Sequence, residues 1–236
     1  MQTNSRKKWG TAIFLAGVLL GLGLAIAAAW GDYEAMAYYD EGAGYAHFGG
    51  LKCPTLMSLS ETGTVSGVFD NNTDEAIQPY YQVDIAATAS TRHMEEQITV
   101  PARSSKTVRW TVDANDINLG SFILVKLDVL PVAGYSTREA TCGIVVMNLG
   151  GLHGEVAFGL WLAVSLLGIA TGLVLREAGS EPPTGSALSL RNGLRATGII
   201  TLLAMLSGIM GLWLIGLILV ALTFLLLVVL LRYAGQ

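Results

Sequence analysis

Three histidines are the residues of this 236-residue chain whose side chains most often bind metals or transfer protons. His47, His93 and His153 are far apart in sequence, and none has the spacing of a metal-binding motif. His47 and His153 both precede or follow apolar segments, so a cofactor site shared by these two remains open. We interpret all three as exposed or interfacial side chains, and predict no metal ligand and no cofactor.

Motifs that carry catalytic chemistry are absent from the sequence. It contains no Gly-x-Ser-x-Gly nucleophile motif, no P-loop and no dinucleotide-binding fingerprint. The paired acids Asp40-Glu41 and Glu95-Glu96 fall in polar stretches, where carboxylates are usually solvated. We therefore predict that the protein is not an enzyme and has no catalytic residues.

The chain as a whole is unusually apolar. Charged residues make up 14% of the chain, against about 25% in soluble domains. Residues 10–31, 156–175 and 196–231 carry no charge at all, and each stretch exceeds the roughly 20 residues needed to cross a bilayer. These stretches predict transmembrane helix 1 at 11–30, helix 2 at 156–175 and further membrane-spanning structure at 196–231.

The third stretch is too long for one crossing. Its 36 residues would form a helix about 54 Å long, and tilting cannot absorb that excess over a core of about 30 Å. Arg195 and Arg232 flank the stretch, and both prefer the cytoplasm. We predict a helical hairpin, helices 3 and 4, that turns near residues 207–211. A re-entrant first arm is the alternative.

The charges predict the orientation. Residues 32–155 hold seven basic and sixteen acidic residues, a net charge of −9, whereas the rest of the chain is +5. The positive-inside rule places the tail 1–10, the loop 176–195 and both termini in the cytoplasm. The acidic region then lies outside a multi-pass plasma-membrane protein. A cleaved signal peptide is the alternative for the N-terminus, and would remove the first helix.

The central region has the pattern of short β-strands. Apolar residues alternate with polar ones, most clearly from Thr107 to Val112, and turn-forming clusters separate six or seven such runs. No helical pattern interrupts them. The predicted fold class is an α + β membrane protein, with an antiparallel β-sandwich at 53–148 and about four transmembrane helices.

Three sequence features in this region resemble those of immunoglobulin-like and fibronectin-III-like modules of bacterial envelope proteins, the CARDB-like families among them. They are Gly67 to Asn72, Val100-Pro101-Ala102, and the strand from Thr107 to Val112. The resemblance covers about ninety residues. It implies a binding or spacer module without catalytic residues.

Cys53 and Cys142 bracket the predicted sandwich. Both lie outside the cytoplasm in the predicted orientation, where disulfides persist. A bridge between them would stabilise the domain by roughly 4–5 kcal/mol in the chain-entropy account. We predict this disulfide; two free or ligand thiols are the alternative.

Two sets of residues are candidates for contacts at the membrane. The pairs Gly17/Gly21 and Gly168/Gly172 each place two glycines on one helix face, a spacing typical of close helix packing, either within the chain or with a partner. The segment 31–52 and the residue before it are rich in aromatics, which suit either the headgroup layer or a docking surface. These are Trp30, Tyr33, Tyr38, Tyr39, Tyr45 and Phe48.

These features favour a non-catalytic accessory or scaffold subunit of a larger membrane complex. Its expected partners are other membrane protein subunits and the lipid bilayer, while the acidic outer region argues against nucleic acid. One alternative is a stand-alone cell-envelope receptor or adhesin that binds a peptide or glycan. Another is an electron-transfer subunit that carries a cofactor, for example between His47 and His153.

Overall fold

The computed structural model describes residues 2–39, 46–88, 90–130, 137–178 and 186–234. Tyr45 and most of the Pro182-Pro183 loop lie outside them. The chain divides into two compact units. The helical unit comprises Met1–Ala29 and Phe158–Gln236, and the β unit comprises Trp30–Ala157.

Four α-helices are present in the described part of the chain: α1 (Gln2–Tyr39), α2 (Gly154–Glu177), α3 (Ser186–Ile209) and α4 (Trp213–Ala234). Each is long and apolar enough to span a membrane. Two extend beyond the predicted spans. α1 includes residues 31–39, which we expected to be interfacial, and α3 begins inside the predicted loop 176–195. Alanine, leucine and arginine continue a helix readily, so charges mark where an apolar span ends rather than where the helix ends.

The predicted hairpin turn lies between α3 and α4. The Leu212 N–H donates to the Ser207 carbonyl (2.9 Å) and the Gly211 N–H to the Gly208 carbonyl (3.1 Å). Gly211 has a φ of 72°, the left-handed conformation that glycine adopts without strain. This is a Schellman ending, which satisfies the last carbonyls of α3.

In its described residues, the β unit contains nine strands in two sheets. They are β1 (Ala46–His47), β2 (Leu51–Lys52), β3 (Leu56–Ser58), β4 (Gly63–Asn71), β5 (Tyr80–Ala86), β6 (Arg92–Gln97), β7 (Ser104–Val112), β8 (Phe122–Leu130) and β9 (Arg138–Met147). One sheet has the order β1-β9-β8-β5-β6, with β3 also paired to β9, and the other has the order β2-β4-β7. β1 and β3 run parallel to β9, while the other strand pairs are antiparallel.

Both sheets contribute to one core, so the arrangement is sandwich-like. Val65 and Trp110 come from the smaller sheet, and Val83, Val125 and Ile144 from the larger. A run of aromatic rings also passes through the core: Phe48, Phe69, Tyr81 and Trp110, with successive ring centroids 5.1, 5.4 and 5.5 Å apart. We predicted an antiparallel sandwich, but β1 and β3 pair with β9 in the parallel direction.

Candidate functional site

In the helical unit, glycines let α1 and α2 approach closely. A Cβ on Gly17 would meet the backbone of Gly168, and a Cβ on Gly172 would overlap the backbone of Phe14. Gly21 faces Ser165, Met205 and Thr201 side chains instead. The four glycines singled out in the sequence therefore all lie at contacts within this chain.

Hydrogen bonds reinforce the same contact. The Ser165 hydroxyl donates to the Gly17 carbonyl at 2.9 Å, and the Trp161 indole N–H donates to the Leu20 carbonyl at 2.9 Å. A side-chain donor that bonds to a neighbouring helix satisfies its own polarity in an apolar setting. The inner face of α2 is thus occupied by α1.

The outer face of α2 carries small residues that the described part of this chain does not cover. Gly159, Ala163 and Ala170 are exposed, and a Cβ on Gly159 would meet no atom within 4 Å. We call these three residues the α2 stripe. Exposed bulky side chains such as Leu166, Leu167 and Val174 lie beside them on α2.

The predicted aromatic segment separates into exposed and buried members. Trp30, Tyr33 and Tyr38 are exposed, and the Trp30 and Tyr33 rings lie 5.7 Å apart. Phe48 is instead a core residue, 3% exposed. A single interfacial or docking surface made of all the named aromatics is therefore ruled out, because Phe48 packs between the sheets.

Tyr39 also has a structural role in the β unit. Its hydroxyl lies 3.0 Å from the Asp84 carbonyl and 3.1 Å from the Leu124 carbonyl. Ala35, one helical turn earlier, packs with Ala86 and Leu124. This last part of α1 therefore lies against β5 and β8.

The closest approach between α1 and the sheet is at Gly31 and Gly143. A Cβ on Gly143 would overlap the carbonyl group of Gly31. The Gly143 N–H also donates to the Asp32 carboxylate at 3.3 Å. Backbone meets backbone here, so neither glycine can carry a side chain without movement of α1 or β9.

The predicted disulfide between Cys53 and Cys142 is present. Cys142 is in β9, and Cys53 lies between β2 and β3. The bond thus joins the connection between two short strands to the long strand β9. The alternative of free thiols is wrong for this structure.

The histidines do not form a shared site. His47 is in register with Glu139 at the start of β9. His153 Nδ1 lies 3.3 Å from Glu61 Oε2, beyond the other end of β9. Met147 follows Glu139 by eight positions in the strand, a distance of about 26 Å. His47 and His153 therefore lie near opposite ends of β9, too far apart to contact one small group. Among the described residues, no group of three or more His, Cys, Asp or Glu side chains is placed to hold a metal ion.

A charged cluster occupies the larger sheet on its side away from the core. Lys126 Nζ lies 3.2 Å from Asp128 and 3.7 Å from Glu139 carboxylate oxygens. Glu139 is 3% exposed. Burial lowers the pKa of Lys126, and the nearby carboxylates of Asp128, Glu139 and Asp84 raise it. The carboxylates together have the larger effect, so the pKa lies above its ordinary value. The cluster holds its lysine charged.

A cleft of about 450 Å³ opens at the end of the sandwich where β4 ends and β9 begins. Gly49 and Gly50 form one side, and residues 70–73 form another. Arg138, the first residue of β9, also lines it. Phe48, Val68 and Ile77 supply its apolar part. The sequence indicated the turn at 70–74 but not the cleft.

Asn71 holds the turn beside this cleft in place. Its amide nitrogen donates to the carbonyls of Glu75 (2.8 Å), Pro101 (2.9 Å) and Val100 (3.1 Å). Its amide oxygen accepts from the Thr73 N–H (3.0 Å) and hydroxyl (2.7 Å). One buried side chain therefore connects the turn after β4 to the turn before β7.

Comparison with known proteins gives a partial likeness of fold. No protein-family model matches the chain, and no curated protein matches its sequence. A CARDB domain from Pyrococcus furiosus, in complex with di-metal ions, is 10% identical with a TM-score of 0.32, over 41% of this chain and 84% of that domain. The superoxide reductase (neelaredoxin) from Ignicoccus hospitalis is 11% identical with a TM-score of 0.30, over 41% of this chain and 78% of the reductase.

A larger enzyme also contains a similar part. The cycloisomaltooligosaccharide glucanotransferase from Paenibacillus is 14% identical with a TM-score of 0.33, over 43% of this chain. The match spans only 14% of the length of that enzyme. A CARDB domain is thus among the structures that this chain matches, at low identity and over 41% of its length.

Proposed function

We propose that this protein is a non-catalytic accessory or scaffold subunit of a larger membrane protein complex. The α2 stripe is the observation that carries the proposal. It would receive a transmembrane helix of a different, integral membrane subunit, while the β unit would position partners on the outer side of the membrane.

The composition of the stripe supports a helix rather than lipid as its occupant. Small residues favour close helix pairing in membranes, because they let two backbones approach and gain van der Waals contact. Gly159 and Ala163 are four residues apart and so share one face of α2. Bulky exposed residues flank the stripe on α2, so the support for a helix partner comes from the spacing of Gly159 and Ala163.

The membrane setting rests on the four long apolar helices and on the charge distribution. Basic residues lie at the start of α1, the end of α2, the start of α3 and the end of α4. Antiparallel crossings of one bilayer would bring these four regions to the same side, which the positive-inside rule makes cytoplasmic. The acidic β unit would then be extracytoplasmic.

The test compares two exposed helix faces with the same kind of change. The Gly159→Leu/Ala163→Leu double variant fills the α2 stripe, and Ala221→Leu makes an equivalent change on the exposed face of α4. Each is expressed at native level with a tag, extracted in mild detergent, and analysed by native gel and mass spectrometry. We expect wild type and Ala221→Leu to retain a stoichiometric integral membrane partner that the double variant loses.

Three outcomes would contradict the proposal. Wild type could migrate alone, with no stoichiometric partner. The double variant could keep the same partner as wild type. The partner could also prove to be a second copy of this chain, which would make the stripe a homodimer contact. Equal expression and thermal stability of the variants shows that loss of the partner is not loss of folding.

A further inference from the structure

We propose that the cleft at the end of β4 binds a short, extended peptide segment that carries a basic side chain. This site goes beyond the subunit role proposed above, because it lies in the β unit and does not involve the α2 stripe. The cleft can therefore be tested independently of the helices.

The first argument is an open strand edge. The Val68 N–H donates to the Gly50 carbonyl at 2.9 Å, so Val68 directs its backbone groups towards β2. Backbone groups of residues two apart in a strand point to the same side, so Asp70 directs its own N–H and C=O to this edge. β2 pairs with Gly67 and Ser66 only. Within the described ranges, no strand or bridge covers Asp70 on this edge.

The path of the chain explains why the edge is open. β1 belongs to the larger sheet and β2 to the smaller, so the chain changes sheets at residues 48–50. The last residues of β4 pair with β7 on one edge. On the edge that faces β2, no described strand pairs with them, and the cleft begins there. An exposed strand edge accepts an added extended segment through main-chain hydrogen bonds. This selects an extended peptide as the occupant.

The second argument is size. Gly49 leaves room that a side chain would occupy, because its Cβ position has no atom within 4 Å. A volume of about 450 Å³ lies in the range of small-ligand pockets, which is about 300–1,000 Å³. The cleft can therefore hold a few residues of an extended chain but not a folded domain.

The third argument is charge. Asp70 is exposed and lines the cleft. Its carboxylate complements a basic side chain of the ligand. Asn72 and Thr73 add polar groups beside it.

The aromatic content favours a peptide over a glycan. Sugar rings are commonly held against an exposed aromatic face, but Phe48 is the aromatic residue that lines this cleft, and its side chain is 3% exposed. Its ring packs against Phe69 inside the core. Asn71 also fixes one wall in advance, which reduces the entropic cost of binding.

The experiment uses the full chain in lipid nanodiscs. A phage-displayed random heptapeptide library is panned against it, and the enriched peptides are synthesised and measured by fluorescence polarisation. Gly49→Trp fills the cleft, and Thr111→Trp places the same side chain at an exposed position on β7. We expect enriched peptides with a basic residue, which lose at least tenfold in affinity for Gly49→Trp and keep it for Thr111→Trp.

A charge reversal makes the test specific. Asp70 is exposed, so Asp70→Lys should leave the fold intact, as hydrogen exchange of β4 will show. The basic residue of the peptide would then face a like charge, and affinity should fall about tenfold. Replacing that peptide residue by glutamate should restore part of the affinity for Asp70→Lys alone.

Three results would overturn the proposal. No peptide is enriched over nanodiscs without protein, or the enriched peptides bind Gly49→Trp as well as wild type. Alternatively, a glycan array on the same nanodiscs gives binding that Gly49→Trp abolishes, which would reassign the cleft to sugars. Loss of the membrane partner in the Gly159→Leu/Ala163→Leu variant, measured separately, tests the subunit role and not this site.

Discussion

Asn71 shows how much of the β unit depends on one polar side chain. It is 2% exposed, and five hydrogen bonds join it to the turns at residues 71–75 and 100–101. A buried amide is tolerated only when its donors and acceptors are satisfied. The adjacent Asn72 is exposed and provides a natural control.

We expect Asn71→Asp to destabilise this end of the sandwich by about 2–3 kcal/mol. A carboxylate cannot donate to three carbonyls, and its charge would be buried against them. Hydrogen exchange with mass spectrometry on β4 and β7 measures the local opening free energy. Asn72→Asp should change it by less than about 0.5 kcal/mol. Equal effects of the two substitutions would show that Asn71 does not hold the turns.

Lys126 predicts how stability depends on alkaline pH. Its pKa is raised in the folded state. A raised lysine pKa contributes stability that is complete below the ordinary value and is lost as pH rises through the folded-state pKa. We expect thermal stability of wild type to fall more steeply than that of Lys126→Arg, which stays charged, once the pH rises above the ordinary lysine pKa of 10.5. Parallel curves for the two proteins would refute this.

Among the helices and strands, α1 and β9 approach each other closely within the β unit. Gly31 and Gly143 bring two backbones together, and Asp32 accepts the Gly143 N–H. The sequence pattern predicted β9 as a strand, but it did not predict that a helix would lie against it. Such contact depends on which side of the sheet the helix covers, and periodicity does not contain that information.

We expect Gly143→Ala to destabilise the β unit by at least about 3 kcal/mol, because the added methyl group would overlap the Gly31 carbonyl and overpacking forces backbone shifts. Gly49→Ala is the control, since its Cβ meets no atom within 4 Å. The readout is the fraction of each variant recovered with an intact disulfide and native hydrogen exchange in β8 and β9. Normal recovery of Gly143→Ala would show that α1 does not pack this closely.

Strands with two distinct faces were predictable, and β6 was not. From Thr107 to Val112, β7 alternates threonine and arginine with valine and tryptophan, because one face packs in the core. β6 reads Arg92 to Gln97 with one apolar residue, Met94. It pairs with β5 and buries little, so no apolar alternation marks it.

The candidate sites also differ in how far the sequence could predict them. The glycine spacing in α1 and α2 pointed to helix contacts, because such contacts repeat along one helix. Which face of α2 stays uncovered depends on where α1 packs. The cleft brings Asp70 and Arg138 together from strands far apart in the chain, through the change of sheet at residues 48–50. Local pattern cannot predict such a long-range meeting.

At the scale of the whole molecule, the charge distribution predicts sidedness. We expect a membrane-impermeant maleimide to label Thr111→Cys in intact cells, because the proposed orientation puts the acidic region that contains β7 outside the cytoplasm. Ala178→Cys follows α2 and should be labelled only after permeabilisation, since the same proposal places the basic segments in the cytoplasm. The native cysteines are paired and do not react. Labelling of both variants before permeabilisation would contradict the orientation.

The buried amide of Asn71 has a consequence for the choice of expression host. Asn71-Asn72-Thr73 matches the acceptor sequence for N-linked glycosylation. The nitrogen that would carry the sugar donates three hydrogen bonds inside the fold, and Thr73 is bonded to the same side chain. A glycan can therefore be attached only to a chain that has not yet folded, and would then keep the turn from closing. A eukaryotic secretory pathway would thus convert part of the product into a misfolded glycoform.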